Sequence, residues 1–187
     1  MHINIAIGGF QMSVLNRTPE NTNFLQPTKF LLTFDRIPDV TYFCQEANLP
    51  GIQLPAIVVP SPAIDYHVAG NKLTYSTFNI KFMVDEKVNS WKNIHEWLMS
   101  IASPHGTEDR NYLTRLQNEF KQTSFPQYSD AVLTVLSNLN NPVLRVHLVG
   151  LFPMSLSDIQ FDTTLSADHI ITADASFSVK YFDFMEL

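Results

Sequence analysis

The segment from Thr74 to Val84 constrains the fold more than any other part of the chain, because its side chains alternate in character. Its apolar positions are Phe78, Ile80, Phe82 and Val84. Asn79 and Lys81 fall between them and point to the opposite face of an extended chain. Period-two alternation is typical of a strand whose sheet buries one side. The segment therefore predicts a β-sheet with one face in a core.

A helix is predicted after this strand, over about residues 87–102. Asp85 and Glu86 place negative charge at its N-terminal end, where the helix dipole favours it, and Asn89 is another candidate cap. An apolar stripe at helical spacing is formed by Trp91, Ile94, Leu98 and Ile101. The turn-forming residues 103–106 end the helix. This is one amphipathic helix that packs against the sheet.

Further strands are predicted before the helix. Residues 30–34 alternate, a turn follows at 37–39, and residues 40–46 form a second strand of the same hairpin. Residues 52–59 contain Pro55, and because proline cannot donate to a strand ladder, this segment is an edge strand or an extended segment. Gly70-Asn71 is predicted to form a hairpin tip.

Strands resume after the helix. Residues 130–137 and 143–149 are predicted to pair across a turn at 140–142, and residues 172–184 form the last long strand. The predicted buried face of that strand is formed by Ala175, Phe177, Val179 and Tyr181. Strands on both sides of one helix predict a mainly β fold, an antiparallel sandwich or open barrel with one packed helix.

The chain of 187 residues suits one domain with additions. Residues 1–25 are predicted to be an N-terminal arm, residues 26–187 a single β domain, and residues 106–128 an irregular insertion that could contain a short amphipathic helix. Exposed apolar residues in the arm, the extended segment and the insertion are candidates for contacts between subunits. These candidates are Ile3, Ile5, Ile7, Ile57, Val59, Val68, Gly70, Tyr112, Leu116 and Phe120.

Charge, cysteine content and the N-terminal residues argue against several classes of protein. The net charge of −6 and the pI of about 5.4 argue against tight binding to DNA or anionic lipid, which needs clustered Lys and Arg. Cys44 is the single cysteine, so it has no intramolecular disulfide partner, which fits a reducing compartment. The N-terminal residues have no basic region and no long apolar core, and we expect neither a signal peptide nor a membrane anchor.

No catalytic motif is evident in the sequence. His95-Glu96 has no second histidine one turn on, so a zinc site there is not expected. Asp168-His169 with Ser166 nearby has no sign of a positioned nucleophile or oxyanion hole. Asp85-Glu86 is explained more simply by helix N-terminal charge than by acid–base chemistry. We therefore expect no enzyme activity, no catalytic residues, no metal and no cofactor.

Three stretches together resemble the tail tube protein family of contractile-tailed bacteriophages. The first is residues 42–52, an aromatic strand followed by Leu-Pro-Gly. The second is residues 66–86, with a Val-Ala-Gly turn and an alternating strand ending in Asp-Glu, followed by the Trp-bearing helix. The third is residues 148–184, with a Gly-Leu-Phe-Pro turn and a closing aromatic strand. The resemblance covers roughly residues 27–102 and 143–184.

The resemblance implies a structural protein of the phage tail, with six copies sharing their sheets in a ring and rings stacking into a hollow tube. Genome DNA would pass through the lumen without specific binding. The implied partners are the chain itself, the tail sheath, the baseplate or tube initiator, and the tape measure protein. The implied location is the virion, after assembly in the host cytoplasm.

Two alternatives to a main tube subunit stay open at this point. One is a tube initiator or another baseplate ring subunit of the same fold, because fold alone does not separate these roles. The other is a small-ligand-binding β-barrel, which would be a monomer with an apolar cavity.

Overall fold

The computed structural model describes residue 25 and residues 27–104, 127–164 and 170–185. It contains eleven strands and two helices within these ranges. The elements in chain order are β1 Phe30–Phe34, α1 Pro38–Phe43, β2 Cys44–Ala47, β3 Ile52–Gln53, β4 Ala56–Val59, β5 Tyr66–Ala69, β6 Thr74–Tyr75, β7 Phe78–Met83, α2 Asn89–Ala102, β8 Ser129–Leu136, β9 Pro142–Leu156, β10 Thr172–Ser178 and β11 Tyr181–Met185. The predicted mainly β fold with one main helix is confirmed.

Seven strands form one antiparallel sheet that folds over on itself. Its first half, which we call sheet A, runs β1-β8-β9-β11, and its second half, sheet B, runs β9-β10-β7-β2. The strand β9 belongs to both halves: its N-terminal part pairs with β8 and β11, and its C-terminal part pairs with β10. This long shared strand makes the two halves the walls of one sandwich.

Gly150 lies where β9 passes from sheet A to sheet B. Its φ of +67° is in the left-handed region, which favours glycine. A Cβ on Gly150 would lie 3.1 Å from the Cβ of Lys180, which is the residue opposite it in the link between β10 and β11. The Asp130 carboxylate accepts a hydrogen bond of 2.8 Å from the Gly150 amide. The predicted Gly-Leu-Phe-Pro turn is therefore wrong: the chain bends here but continues as a strand.

The core lies between the two halves and is rich in aromatic side chains. The rings of Phe34 and Phe177 have centroids 5.5 Å apart, and those of Trp97 and Phe177 are 5.9 Å apart. Phe78 packs on both Phe34 and Phe177 at 6.3 Å. Phe82 from β7 is also fully buried. Phe78, Ile80 and Phe82, which were predicted to share the buried face, are thus buried, and Val84 is partly buried.

Helix α2 closes the sandwich with the stripe of apolar side chains predicted for it. Ile94 is fully buried, and Trp91, Leu98 and Ile101 are partly buried against the core. Trp97, which the predicted stripe omitted, is fully buried. Ser103 caps the C-terminus in the left-handed region, with its amide donating to the Met99 carbonyl oxygen.

Four further predictions from the sequence are wrong. Residues 40–43 form α1 rather than a strand, and β1 pairs with β8 instead of forming a hairpin with the following segment. Tyr181 is exposed and Phe182 is buried instead, because the side-chain alternation changes phase at the link between β10 and β11. Gly70-Asn71 is not a hairpin tip.

Residues 52–75 form a two-stranded ribbon outside the main sheet. We call this segment the ribbon: β3 pairs with β6, β4 pairs with β5, and the tip lies at residues 60–65. Between the two pairs, Leu54-Pro55 on one strand faces four residues, 70–73, on the other. The Gly70 amide donates to the Pro55 carbonyl oxygen at 3.0 Å across this irregularity. The predicted edge or extended character of residues 52–59 is confirmed.

Replacing Gly70 with alanine is expected to open the middle of the ribbon. A Cβ at this position would overlap the Pro55 carbonyl oxygen, so the hydrogen bond must lengthen or break. Losing it and forcing the strands apart should cost about 1–3 kcal/mol locally. Amide hydrogen exchange of residues 56–69 should speed up accordingly.

Gly51→Ala is the matched control for this substitution. A Cβ on Gly51 would meet only the Ser76 hydroxyl at 3.5 Å, an ordinary contact. Exchange in the ribbon should stay at the wild-type rate in this control. Equal exchange in the two variants would show that Gly70 has no special steric role.

Candidate assembly interface

The ribbon presents one continuous apolar face. In the register of β4 and β5, Ile57 lies opposite Val68 and Val59 lies opposite Tyr66. Residues two apart on a strand point the same way, so these four side chains share a face. Ile57 is 56 % exposed, Tyr66 52 % and Val68 46 %. The structure thus brings three predicted interface residues together and adds Tyr66, which the sequence analysis missed although it alternates with Val68.

The apolar character extends along the whole ribbon. Five further large apolar side chains are more than half exposed there, namely Ile52, Leu54, Val58, Ile64 and Leu73, of which Val58 points to the face opposite that of Ile57. Single exposed apolar residues are common on proteins, but contiguous groups of this kind mark interaction sites. The predicted candidate Gly70 lies at the irregularity of the ribbon and affects the ribbon's shape rather than its apolar surface.

Among the described residues, sheet A has two open edges. Within the described ranges, strand β1 pairs only with β8, and β11 pairs only with β9. Large apolar side chains are exposed on both edge strands: Leu31 on β1, and Phe184 and Met185 on β11. An open strand edge presents unpaired backbone donors and acceptors to any chain that can extend the sheet. The sequence analysis did not single out these edges because their position depends on long-range pairing.

Six predicted interface candidates lie outside the described residues. They are Ile3, Ile5 and Ile7 of the arm and Tyr112, Leu116 and Phe120 of the insertion. Residues 1–24 of the arm and residues 106–126 of the insertion likewise lie outside the described residues. These candidates stay predictions.

The residues considered for catalysis have structural partners where they are described. The His95 ring stacks on Trp91 at 5.2 Å. Asp85 accepts hydrogen bonds from the Ser90 amide at 2.9 Å and from its hydroxyl at 2.8 Å. Although burial raises the pKa of Asp85, these hydrogen bonds hold it below the ordinary value. Asp85 therefore binds the first turn of α2, where the sequence predicted negative charge, but the N-cap residue is Val88, and the candidate cap Asn89 is the first helical residue. Ser166, Asp168 and His169 lie outside the described residues.

Cys44 begins β2, which is the edge strand of sheet B in the part of the chain that the structure describes, and its thiol donates to the Glu46 carbonyl oxygen at 3.4 Å. Burial raises the pKa of Cys44 to about 11, only partly offset by that hydrogen bond. Because the thiolate is the reactive form, this thiol is a poor nucleophile at neutral pH.

Within residues 27–104, 127–164 and 170–185, no group of His, Cys, Asp and Glu side chains is arranged to hold a metal ion. None of the helices described is long and apolar enough to cross a membrane. An open depression of about 620 Å³ lies on sheet B among polar side chains, including Asn79, Ser155 and Ser176. A second depression of about 610 Å³ lies at the bend of β9, beside Tyr128 and Phe152.

Comparison with known proteins identifies the family. A family model described as phage tail tube protein matches residues 9–185. The tail tube terminator protein of Enterobacteria phage T4 is 27 % identical over 146 residues, which is 76 % of this chain and 76 % of that protein.

Solved structures with the same fold come from contractile injection systems. A chain of the sheath–tube complex of the PVC extracellular contractile injection system superposes with a TM-score of 0.60 at 12 % identity, covering 89 % of this chain and 94 % of that one. A chain of the tube-terminating cap of the anti-feeding prophage superposes with a TM-score of 0.59 at 14 % identity, covering 94 % of this chain and 100 % of that one. The chain therefore belongs to the phage tail tube protein family and is a tail-tube-related structural protein.

Proposed function

We propose that this chain is the subunit of a ring that ends the tail tube, a tube terminator. The observation that carries the proposal is the similarity to the T4 tail tube terminator, which extends over three quarters of both chains. The terminating cap of the anti-feeding prophage shares the fold over its whole length, which is compatible with this role but does not favour it over that of a tube subunit. This role differs from that of a main tube subunit, which the sequence alone favoured.

The open edges of sheet A support a ring. The strands β1 and β11 are opposite edges of one sheet and run antiparallel to each other, because each neighbouring pair between them is antiparallel. When β11 of one subunit lies beside β1 of the next, the alternation of strand direction continues. Such a contact is heterologous. It closes into a ring when a whole number of the rotations between neighbouring subunits makes one full turn. We propose six subunits, as the family resemblance implies.

The apolar face of the ribbon supports a second contact. Its exposed side chains lie outside the main sheet, so they are free to reach a neighbouring subunit of the same ring or of the ring below. Burying Ile57, Val59, Tyr66 and Val68 would remove their apolar surface from water at about 25 cal/mol per Å². We propose that the ribbon contacts another subunit through this face.

The other partners follow from this place in the tail. The ring would contact the tube on one face, inside the sheath, and would leave a lumen for genome DNA. The net charge of −6 per chain suits a conduit that does not bind DNA tightly. We expect a main tube subunit, more than a terminator, to contact the baseplate, a tube initiator or the tape measure protein. We place the chain in the virion, after assembly in the host cytoplasm.

A main tube subunit is the second candidate. The sheath–tube complex matches the fold as well as the terminating cap does, with TM-scores of 0.60 and 0.59. The fold is therefore neutral between the two roles, and the initiator role shares this fold as well. Only the sequence similarity to the terminator favours the terminal ring.

Electron microscopy and sedimentation of the purified protein test the proposal. A terminator is expected to form isolated rings of about 130 kDa, six chains of 21.3 kDa each, and to stay as rings when its concentration is raised. Long hollow tubes would instead assign the main tube role. A strict monomer at high concentration and low salt would contradict ring formation by this chain alone.

A further inference from the structure

The tip of the ribbon, residues 60–65, combines three features that suit a docking element. Its sequence Pro-Ser-Pro-Ala-Ile-Asp contains two prolines, which fix φ and so reduce the conformational entropy that docking costs. The aliphatic side chain of Ile64 is 72 % exposed. Asp65 beside it is exposed too, and within the described residues it has no ion-pair partner. The tip therefore presents prolines, one large aliphatic side chain and one carboxylate to a partner.

The tip lies far from the body of its own subunit. The ribbon leaves the body where the Ser76 amide donates to the Gly51 carbonyl oxygen at 2.9 Å. Beyond this point β4 and β5 pair only with each other, as far as the described ranges show. Ile64 precedes Ser76 by twelve residues. At about 3.3 Å per residue, the extended ribbon carries its tip about 30–40 Å from the base, where the tip is available to a second molecule.

The depression at the bend of β9 has apolar walls that suit this tip. Tyr128 and Phe152 line it, with their rings edge to face and their centroids 5.9 Å apart, and Val149 lies beside them. Its volume of about 610 Å³ leaves room for several side chains, since a cavity of about 150 Å³ takes up a benzene molecule. Tyr128 is 40 % exposed, so the aromatic wall is open to a partner. Aromatic-lined grooves are a common docking surface for proline-containing segments.

Lys180 supplies a positive charge at one side of the depression. Its stem lies along Gly150, and in the part of the chain that the structure describes no carboxylate forms an ion pair with its ammonium group. Asp130, the carboxylate among the lining residues, already accepts a hydrogen bond from the Gly150 amide and lies 3.8 Å from His147 Nε2. The charge that the depression offers to a partner is therefore positive, which complements Asp65 of the tip.

The depression and the base of the ribbon lie at the same end of sheet B. Ser178 lines the depression and follows Phe177, which pairs with Phe78 just after the ribbon ends. Because the ribbon extends away from this end, the tip of a subunit is about 30 Å from its own depression. A contact between the two surfaces therefore joins two molecules. It is heterologous, since the two surfaces differ.

We propose that the ribbon tip of one subunit docks in the depression at the β9 bend of a second copy of this chain. Ile64 and the prolines pack on Tyr128 and Phe152, which removes their apolar surface from water. Asp65 lies beside Lys180 and pairs with its charge. This contact rests on the proposed function, assembly of the chain into a ring, and adds the surface that the ribbon meets.

Reversal of the two charges tests the pairing. Asp65→Lys or Lys180→Glu alone places like charges together, so each should raise the protein concentration at which half of the chains are in rings by about tenfold. The double variant restores opposite charges and should return this concentration to within about threefold of the wild-type value. Sedimentation velocity measures it. Lys87→Glu, at an exposed lysine before α2, is the control for a change in net charge and should assemble as the wild type does.

The charge reversals separate this contact from ring formation itself. If the wild type forms rings and both single variants assemble equally well, the contact is overturned while the ring stands. A double variant that assembles no better than the single variants would also overturn the contact, because the two charges then do not meet. All of these positions are exposed, so the Tm should stay within about 1 °C of the wild type.

Disulfide trapping tests the contact without relying on complete rings. Ser61→Cys in the tip and Ser178→Cys in the depression change the side-chain shape little. With both in the full chain, an added disulfide oxidant should link chains into a ladder of oligomers, because the two cysteines meet only between molecules. Each single variant, which retains Cys44, is the control and should give no ladder. The absence of a ladder from the double variant would overturn the contact. If the wild type forms no rings, the proposed function fails, yet a ladder would still support docking of the tip.

Discussion

Replacing Trp97 with alanine should lower the free energy of unfolding by about 3–5 kcal/mol, the usual cost of deleting a large buried aromatic side chain. Trp97 is fully buried on α2, and its ring packs on Phe177 at a centroid distance of 5.9 Å. The Arg36 guanidinium lies 4.8 Å above the same ring. The substitution leaves a cavity next to this cation, so both packing and electrostatic contacts are lost.

The Trp97 indole also joins two distant parts of the chain. Its Nε1–H donates to the Gln127 carbonyl oxygen at 3.1 Å, just before β8 begins. Alanine leaves that acceptor without its donor, which adds to the cost. Because single domains are stable by only about 5–15 kcal/mol, the loss should be visible as a large drop in both the Tm and the urea midpoint.

Trp91→Ala is the matched control, because it makes the same chemical change on the same helix. Trp91 is only partly buried, and its Nε1–H donates to the Ser157 carbonyl oxygen at 2.9 Å. The cavity term should be smaller there, so we expect a loss of about half that of Trp97→Ala. Equal losses at the two positions would show that the core is not centred on Trp97.

The position of Trp97 shows what helical periodicity can and cannot predict about burial. The stripe predicted for α2 identified the buried face, and Trp97 lies on that face between Ile94 and Ile101. Periodicity identifies a face but does not rank the residues on it. Trp97 is fully buried because α2 packs over Phe177, which belongs to a strand 80 residues later in the chain.

Alternation predicted individual strands better than it predicted their partners. Strands β1, β7 and β8 were found from their own side chains, because a one-sided sheet imposes period two. Pro38-Asp39 was interpreted as a turn, yet proline and an acidic residue also suit the first turn of a helix, and here they begin α1. The pairing of β1 with β8, about a hundred residues away, leaves no local signal.

The bend of β9 explains two further errors. Gly150 and Pro153 are turn residues in most contexts, but here β10 and β11 run alongside β9 and supply hydrogen-bond partners through the bend. The same bend shifts the phase of side-chain alternation opposite it, so Phe182 is buried rather than Tyr181. A prediction based on one uninterrupted pleat cannot include such a shift.

The candidate interface was predictable in part. The apolar run around Pro55 indicated an edge strand or an extended segment, since a proline-containing apolar segment is not a central strand. The sequence analysis placed the hairpin tip at Gly70-Asn71. The ribbon instead needs a glycine at position 70 because its lack of a side chain lets the two strands approach at Pro55. The open edges of sheet A were not predictable without knowing which strands lie at its ends.

Ile57→Asp should abolish assembly of the subunit while leaving its folded core intact. Ile57 lies on the apolar face of the ribbon and is 56 % exposed, so the isolated subunit tolerates a charge there. In an interface that covers this face, the carboxylate would be buried among Val59, Tyr66 and Val68 without a partner. Burying an unpaired charge costs several kcal/mol, which is enough to shift assembly by a factor of about a thousand.

Val58→Asp provides the control within the same strand. Val58 is 53 % exposed, almost as much as Ile57, but its side chain points to the opposite face of the ribbon, beside His67. Both variants should unfold within about 1 °C of the wild type, because surface substitutions rarely change stability by more than about 0.5 kcal/mol. Sedimentation should then show rings for Val58→Asp and monomers for Ile57→Asp. If Ile57→Asp forms rings as readily as Val58→Asp, the apolar face of the ribbon is not the contact within the ring, and ring formation must depend on other surfaces, such as the open edges of sheet A.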